Sequence, residues 1–180
     1  MTVPEFLFGE ARTAAPLLLG WRLQSTIDGQ VTEVELTEVE AYSQEDPASH
    51  SFGGLRPRNA VMYGSPGRLY VYRSYGMHWC ANVVCGPDGM GAAVLLRAGK
   101  PLRGAELMTR RRGRVDDLTT GPGNLCQAMG ITDEHKGQDL FDSNSALRLM
   151  SGQPPASYIA TPRVGISKGV DRRWRFVTQA

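Results

Sequence analysis

Along residues 31–42, VTEVELTEVEAY, apolar and polar side chains alternate, which predicts a strand with one buried face. Val34 and Leu36 share that face. The alternation then slips by one, because Val39 and Ala41 are apolar on the opposite parity. Either a bulge intervenes or the strand changes the face that it buries. Without a bulge, Glu38, Glu40 and Tyr42 fall on the face of Val34 and Leu36. Carboxylates aimed at packed structure cost free energy unless something uses them.

The segment after it, SQEDPASHSFGGLRPRN (43–59), is polar and rich in Gly and Pro, and reads as a connection. RLYVYRSY (68–75) predicts the next strand, with Tyr70 and Tyr72 alternating along it and Tyr75 beside Gly76 at a reversal of the chain. WCANVVC and GAAVLLRA predict two strands around the turn GPDGMG, a hairpin. PLRGAELMTRRR predicts a helix whose first turn holds Pro101. GPGNLCQAMGI reads as a glycine-rich loop feeding a short helix from Asn124, and YIATPRVGIS and WRFVTQ as closing strands. Strands cluster, with helices between and beside them and no regular βαβ alternation. That predicts one α+β domain over residues 1–180, built around a largely antiparallel sheet with flanking helices.

Composition narrows the function classes. A chain of 180 residues buries enough surface to fold without disulfide or metal staples. Cys80, Cys85 and Cys126 form no Cys-x-x-Cys pair and read as packing thiols in a reduced, cytosolic compartment. The first residues lack the basic start of a secretory signal, and APLLLGW is too short to span a bilayer, so neither secretion nor a membrane partner is expected.

Net charge is only +2, but its distribution is lopsided: residues 1–50 hold two arginines against nine acids, and residues 51–180 hold eighteen basic residues against nine acids. Seventeen of the twenty basic side chains are arginine. Arginine makes forked contacts to phosphate and stacks on flat rings. Residues 56–75 carry Arg56, Arg58, Arg68 and Arg73 with no acid, which marks a phosphate-facing surface rich in aromatic rings.

No Walker loop, dinucleotide fingerprint or nucleophile elbow is present. His50, His78 and His135 have no metal-ligand spacing, so neither metal nor cofactor is expected. What is left is a carboxylate with an aromatic two residues on (Glu40, Tyr42), His50 beyond them, and the tyrosine strand.

Those residues carry a resemblance. TEVEAYSQEDPASHSFGG, PRNAVMYGSPGRLYVYRSYGMHWCANVV, GAAVLLRAGKPLRG, GPGNLCQAMGI and PRVGIS…WRFV resemble, in order and spacing, the alkyladenine (3-methyladenine) DNA glycosylases across essentially the whole chain. The resemblance implies a curved antiparallel sheet, no metal, a monomer, and duplex DNA containing damaged purines as the partner. It implies that Glu40 is the general base, that Arg97 helps to hold the attacking water, and that the Val164 carbonyl is a further water ligand. Tyr42, His50 and Tyr72 would hold the extruded base, with Asn82 crowding the exocyclic amine of guanine. Tyr75 would be the wedge in the minor groove, with Met77, Arg56 and Arg58 along the backbone. Several relatives carry lysine where this chain has Asn124. The competing class is a non-catalytic nucleic-acid-binding module; the joint presence of Glu40, Arg97 and His50 favours the enzyme.

Overall fold

The computed structural model describes residues 2–179. Its sheet grows from two hairpins and one long central strand. Strand β1 (Arg22–Ile27) turns through Asp28 and Gly29, both at positive φ, into β2 (Gln30–Tyr42), with Ile27 opposite Gln30. A two-residue Asp-Gly loop with both residues left-handed is the turn that suits the twist of paired strands. Strands β3 (Leu69–Ser74) and β4 (His78–Val84) form a second hairpin, and β4 pairs onward with β5 (Ala93–Arg103), confirming the hairpin expected around GPDGMG. The main path of the sheet runs β3, β4, β5, β2, β1, then β6 (Leu147–Met150); β7 (Tyr158–Thr161) pairs with β8 (Arg175–Thr178), and β8 with β2. All these pairings are antiparallel, and the result is the α+β domain with a curled sheet that the sequence predicts.

The slip in β2 is a bulge. Register against β5 shifts between Leu36 and Glu38 and again between Glu38 and Val39. On its other edge β2 pairs with β1 up to Glu35 and with β8 at Glu38, Val39 and Glu40, so the bulge lies where the partner strand changes. Its effect is to keep Val34, Leu36, Val39 and Ala41 in one core. The alternative without a bulge is therefore excluded: Glu38, Glu40 and Tyr42 lie on the face opposite Val34 and Leu36.

The core face also carries Leu69 and Val71 of β3, Ala81 and Val83 of β4, and Val94 and Leu96 of β5. Helices α1 (Ala11–Leu17), α2 (Ala105–Arg112) and α3 (Pro122–Met129) close over it through Ala14, Met108, Leu125 and Met129. Because side chains alternate, four neighbouring strands present a second row to the other side. Tyr70 and Tyr72, Cys80 and Asn82, Leu95 and Arg97, and Glu40 and Tyr42 make up that row; Tyr70 pairs with Asn82, Asn82 with Leu95 and Leu95 with Glu40 across the sheet.

Three expectations are corrected. Pro101 does not open a helix: β5 continues to Arg103, and Gly104, at φ 78, separates it from α2. Beyond Leu95 β4 no longer pairs with β5, so this end of β5 is an edge where proline is tolerated. Helix α3 begins at Pro122 rather than Asn124, with proline in its first turn. Only the YIAT part of YIATPRVGIS is a strand; from Pro162 the chain is a loop, which carries Arg163 and Val164.

Candidate active site

The second face of the sheet forms the wall of a cavity of about 310 Å³. Tyr42, Tyr72, Asn82, Arg97 and Cys80 come from the strands, His50 from the connection after β2, Val164 to Ile166 from the loop after β7, and Pro122 from the start of α3. Tyr75 stands at its mouth.

Glu40 lies behind this wall with no exposed surface. Its Oε2 accepts a hydrogen bond from the Tyr42 hydroxyl at 2.8 Å, and its Oε1 accepts one from the Val164 N–H at 2.8 Å. The Arg97 Nη1 lies 3.4 Å from Oε1. A carboxylate offers about four lone-pair sites, so these three contacts leave one for a further donor. The resemblance implies the Val164 carbonyl as a water ligand; the contact present is instead its N–H donating to the Glu40 carboxylate.

Glu38, which the strand pattern groups with Glu40 and Tyr42 but to which the resemblance assigns no role, is the second carboxylate beside Arg97. Its Oε1 accepts from Arg97 Nε at 2.7 Å and from Arg175 Nε at 2.6 Å. Burial alone would raise its carboxyl; the hydrogen bonds from Arg175 and Arg97, with their charges, outweigh that and hold it below the usual range.

The aromatic lining is fixed by its own contacts. The His50 ring meets Tyr72 edge-on at 4.3 Å, and its Nδ1 is 3.0 Å from the Tyr70 hydroxyl. Burial, then the charge of Arg58, holds His50 below the ordinary histidine range, which favours a neutral ring. Burial raises the phenols of Tyr72 and Tyr42, and the negative charge of Glu40 adds to the shift at Tyr42; Tyr70 is pushed up to about 12 by burial. All three are therefore uncharged rings at neutral pH. Asn82 is anchored through its Nδ2 donating to the Tyr70 carbonyl at 3.1 Å.

One face of Tyr42 is already covered. The Arg163 guanidinium sits 4.5 Å from its ring centroid and 5.3 Å from that of Trp174. Arg163 is held by Asp46 through both Nη atoms and donates to the Ala41 carbonyl at 2.9 Å. Neither Asp46 nor Arg163 was visible as a pair in the sequence, where 117 positions separate them.

The hairpin tip between β3 and β4 is exposed, Tyr75 at 84% and Met77 at 69%. Tyr75 has φ 50 and Gly76 φ 67. A left-handed conformation is unusual for an aromatic residue and holds the ring out of the sheet at some backbone cost. Arg56 and Arg58 are exposed and do not line the cavity; Arg58 lines an adjoining cleft with His50, Tyr72, Arg73 and Lys136. Asn124, in the first turn of α3, donates to the Thr120 carbonyl at 2.6 Å. Cys80, Cys85 and Cys126 are buried free thiols. Among the described residues no group of three His, Cys, Asp or Glu could hold a metal ion, and no helix is long and apolar enough to cross a membrane.

An aromatic cavity is thus backed by a buried glutamate that arginine supports, beside an exposed tyrosine at a hairpin tip. The family model described as methylpurine-DNA glycosylase matches residues 5–180. A protein of Mycolicibacterium fortuitum named "putative 3-methyladenine DNA glycosylase" is 51% identical over 170 residues, spanning 89% of this chain and 87% of its own. Proteins of the same name from Rhodopseudomonas palustris (48% identical; 95% of this chain, 84% of theirs) and Mycobacterium tuberculosis (50%; 90% and 82%) are also similar. The chain belongs to the methylpurine-DNA glycosylase family, and is a DNA glycosylase acting in base excision repair.

Proposed function

We propose that the protein, acting as a monomer, extrudes an alkylated or deaminated purine from duplex DNA. The base would be 3-methyladenine, 7-methylguanine or hypoxanthine. The enzyme then hydrolyses its N-glycosidic bond, leaving an abasic site. The observation that carries this reading is the fully buried Glu40 carboxylate directly behind the Tyr42, Arg97 and Val164 part of the cavity wall. Glu40 takes a proton from water as the water oxygen bonds to the sugar C1′. The electron pair of the breaking C–N bond leaves with the base. The negative charge of Glu40 also stabilises the positive charge that develops on the sugar.

The lining suits the leaving group. Purines methylated on a ring nitrogen are cations, and a cation over a tyrosine face is attracted by about 0.5–2 kcal/mol. Such a base departs neutral and needs no acid, whereas hypoxanthine must gain a proton. Asn82, anchored on the Tyr70 carbonyl, would crowd the exocyclic amine of undamaged guanine. None of the three lysines, at 100, 136 and 168, lines the cavity, which supports water rather than an amine as the nucleophile.

The test is incubation with a duplex holding a single hypoxanthine, then with ones holding the methylated purines, followed by alkaline cleavage at abasic sites. We expect cleavage, and the same yield in EDTA. Intact strands for all three lesions would overturn the reading and leave a binding module. Tyr75→Ser should impair excision from duplex at least about tenfold, because nothing then fills the space of the extruded base. It should affect binding of the free damaged base much less. Wild-type duplex rates from this variant would remove the wedge from the proposal.

A further inference from the structure

Two carboxylates, two residues apart on β2, compete for one guanidinium. Arg97 is the extra residue of β5 at the bulge, between Leu96 opposite Val39 and Ala98 opposite Glu38. Its side chain therefore emerges between Glu38 and Glu40. The sharing is unequal: Nε lies 2.7 Å from Glu38, and Nη1 3.4 Å from Glu40. Glu38 is itself fixed from outside the cavity by Arg175, whose Nη1 also lies 3.2 Å from the Thr161 hydroxyl.

We propose that Glu38 is a positioning residue that holds the Arg97 guanidinium back from full pairing with Glu40. The inference rests on the reading of Glu40 as the general base. A carboxylate closely paired with guanidinium is a poor proton acceptor, and a base too weakly basic slows proton transfer. By taking the short bond, Glu38 leaves Arg97 close enough to orient a water and too far to neutralise the base. The groups facing Glu40 are Tyr42 from its own strand, Arg97 from β5, the Cys80 thiol from β4 and the Val164 N–H from the loop after β7. Arg175 of β8 stands one carboxylate further out. Only Arg97 can change its share of charge between the two acids.

The experiment is single-turnover excision of 7-methylguanine from duplex across mildly acidic to neutral pH. The cationic leaving base needs no acid, so the acid limb reports the base. With Glu38→Gln, Arg97 turns to Glu40; the plateau rate should fall about tenfold and the acid limb should move to lower pH. Glu38→Asp should recover part of both. Arg175→Gln should do the opposite to the limb, because Glu38 then draws on Arg97 alone, and the limb should move up in pH. A role in folding alone would lower the melting temperature of both variants and move neither limb.

A folded Glu38→Gln enzyme with wild-type plateau and limb overturns the proposal. If that variant does not fold, an unmoved limb in Arg175→Gln overturns it instead. Glu40→Gln on the same substrate separates the two readings. Full activity there defeats the general-base reading itself. Loss of activity there, with wild-type behaviour at Glu38→Gln, defeats only this inference.

Discussion

Replacing Glu40 with glutamine is expected to slow single-turnover excision by at least about 10²-fold while fold and duplex affinity hold. Local hydrogen bonding explains why the two effects separate. The amide oxygen can still accept from the Val164 N–H, which lies 2.8 Å from Oε1 in the wild type. The new NH₂ would meet the Tyr42 hydroxyl, which can rotate from donor to acceptor. Arg97 keeps its short bond to Glu38. The buried polar groups therefore remain paired, and only the negative charge and the basicity are lost. A purely structural carboxylate would behave otherwise, and stability would fall as far as rate. Melting temperature, affinity for a lesion-bearing duplex and excision rate with enzyme in excess should be measured on one preparation. A folded, tightly binding variant with near wild-type rate would end the role of Glu40 as base.

Much of this site was legible because it is local in sequence. VEAY places Glu40 and Tyr42 on one face, and GRLYVYRSYGMHW spells out alternating rings, a hairpin and an exposed tip. The slip at Thr37 and Glu38 posed the right question, but the answer needed the partner strands, since only the pairing to β5 and β8 shows a bulge. Strand β1 is hard to read from the sequence because RLQSTI buries only Leu23 and Ser25, so alternation is faint; its one clear signal is the Asp28-Gly29 turn. Pro101 misled because proline suits both a first helical turn and the edge of a strand. Arg175 and Arg163 could not be found at all from local pattern. Each meets a carboxylate of residues 38–46 from the far end of the chain, and only closure of the sheet brings them together.

Asp46→Ala is expected to be the most damaging change to the fold. Asp46 and Arg163 are both fully buried side chains, and the Arg163 guanidinium lies over the rings of Tyr42 and Trp174. Removing the acid strands a guanidinium whose remaining acceptors are the carbonyls of Ala41, at 2.9 Å, and Gly169, at 3.5 Å. Breaking one side of a buried pair costs about 3–5 kcal/mol. For a domain of this size that is a fall in melting temperature on the order of 10 °C. The damage reaches the chemistry, because Arg163 precedes the residue whose N–H holds Glu40 and covers the back of Tyr42, whose hydroxyl holds the same carboxylate. Excision should drop along with stability here, in contrast to Glu40→Gln. The pair can be tested as a pair. Arg163→Met alone should also destabilise strongly, since it leaves Asp46 with only Arg172, at 3.5 Å, as a cation. The double variant should then be much less destabilised than the sum of the singles, by about 0.5–3 kcal/mol in urea melts. Single losses that are small and simply add would show that Asp46 and Arg163 are neighbours rather than the clamp that ties the loop after β7 to the active-site strand.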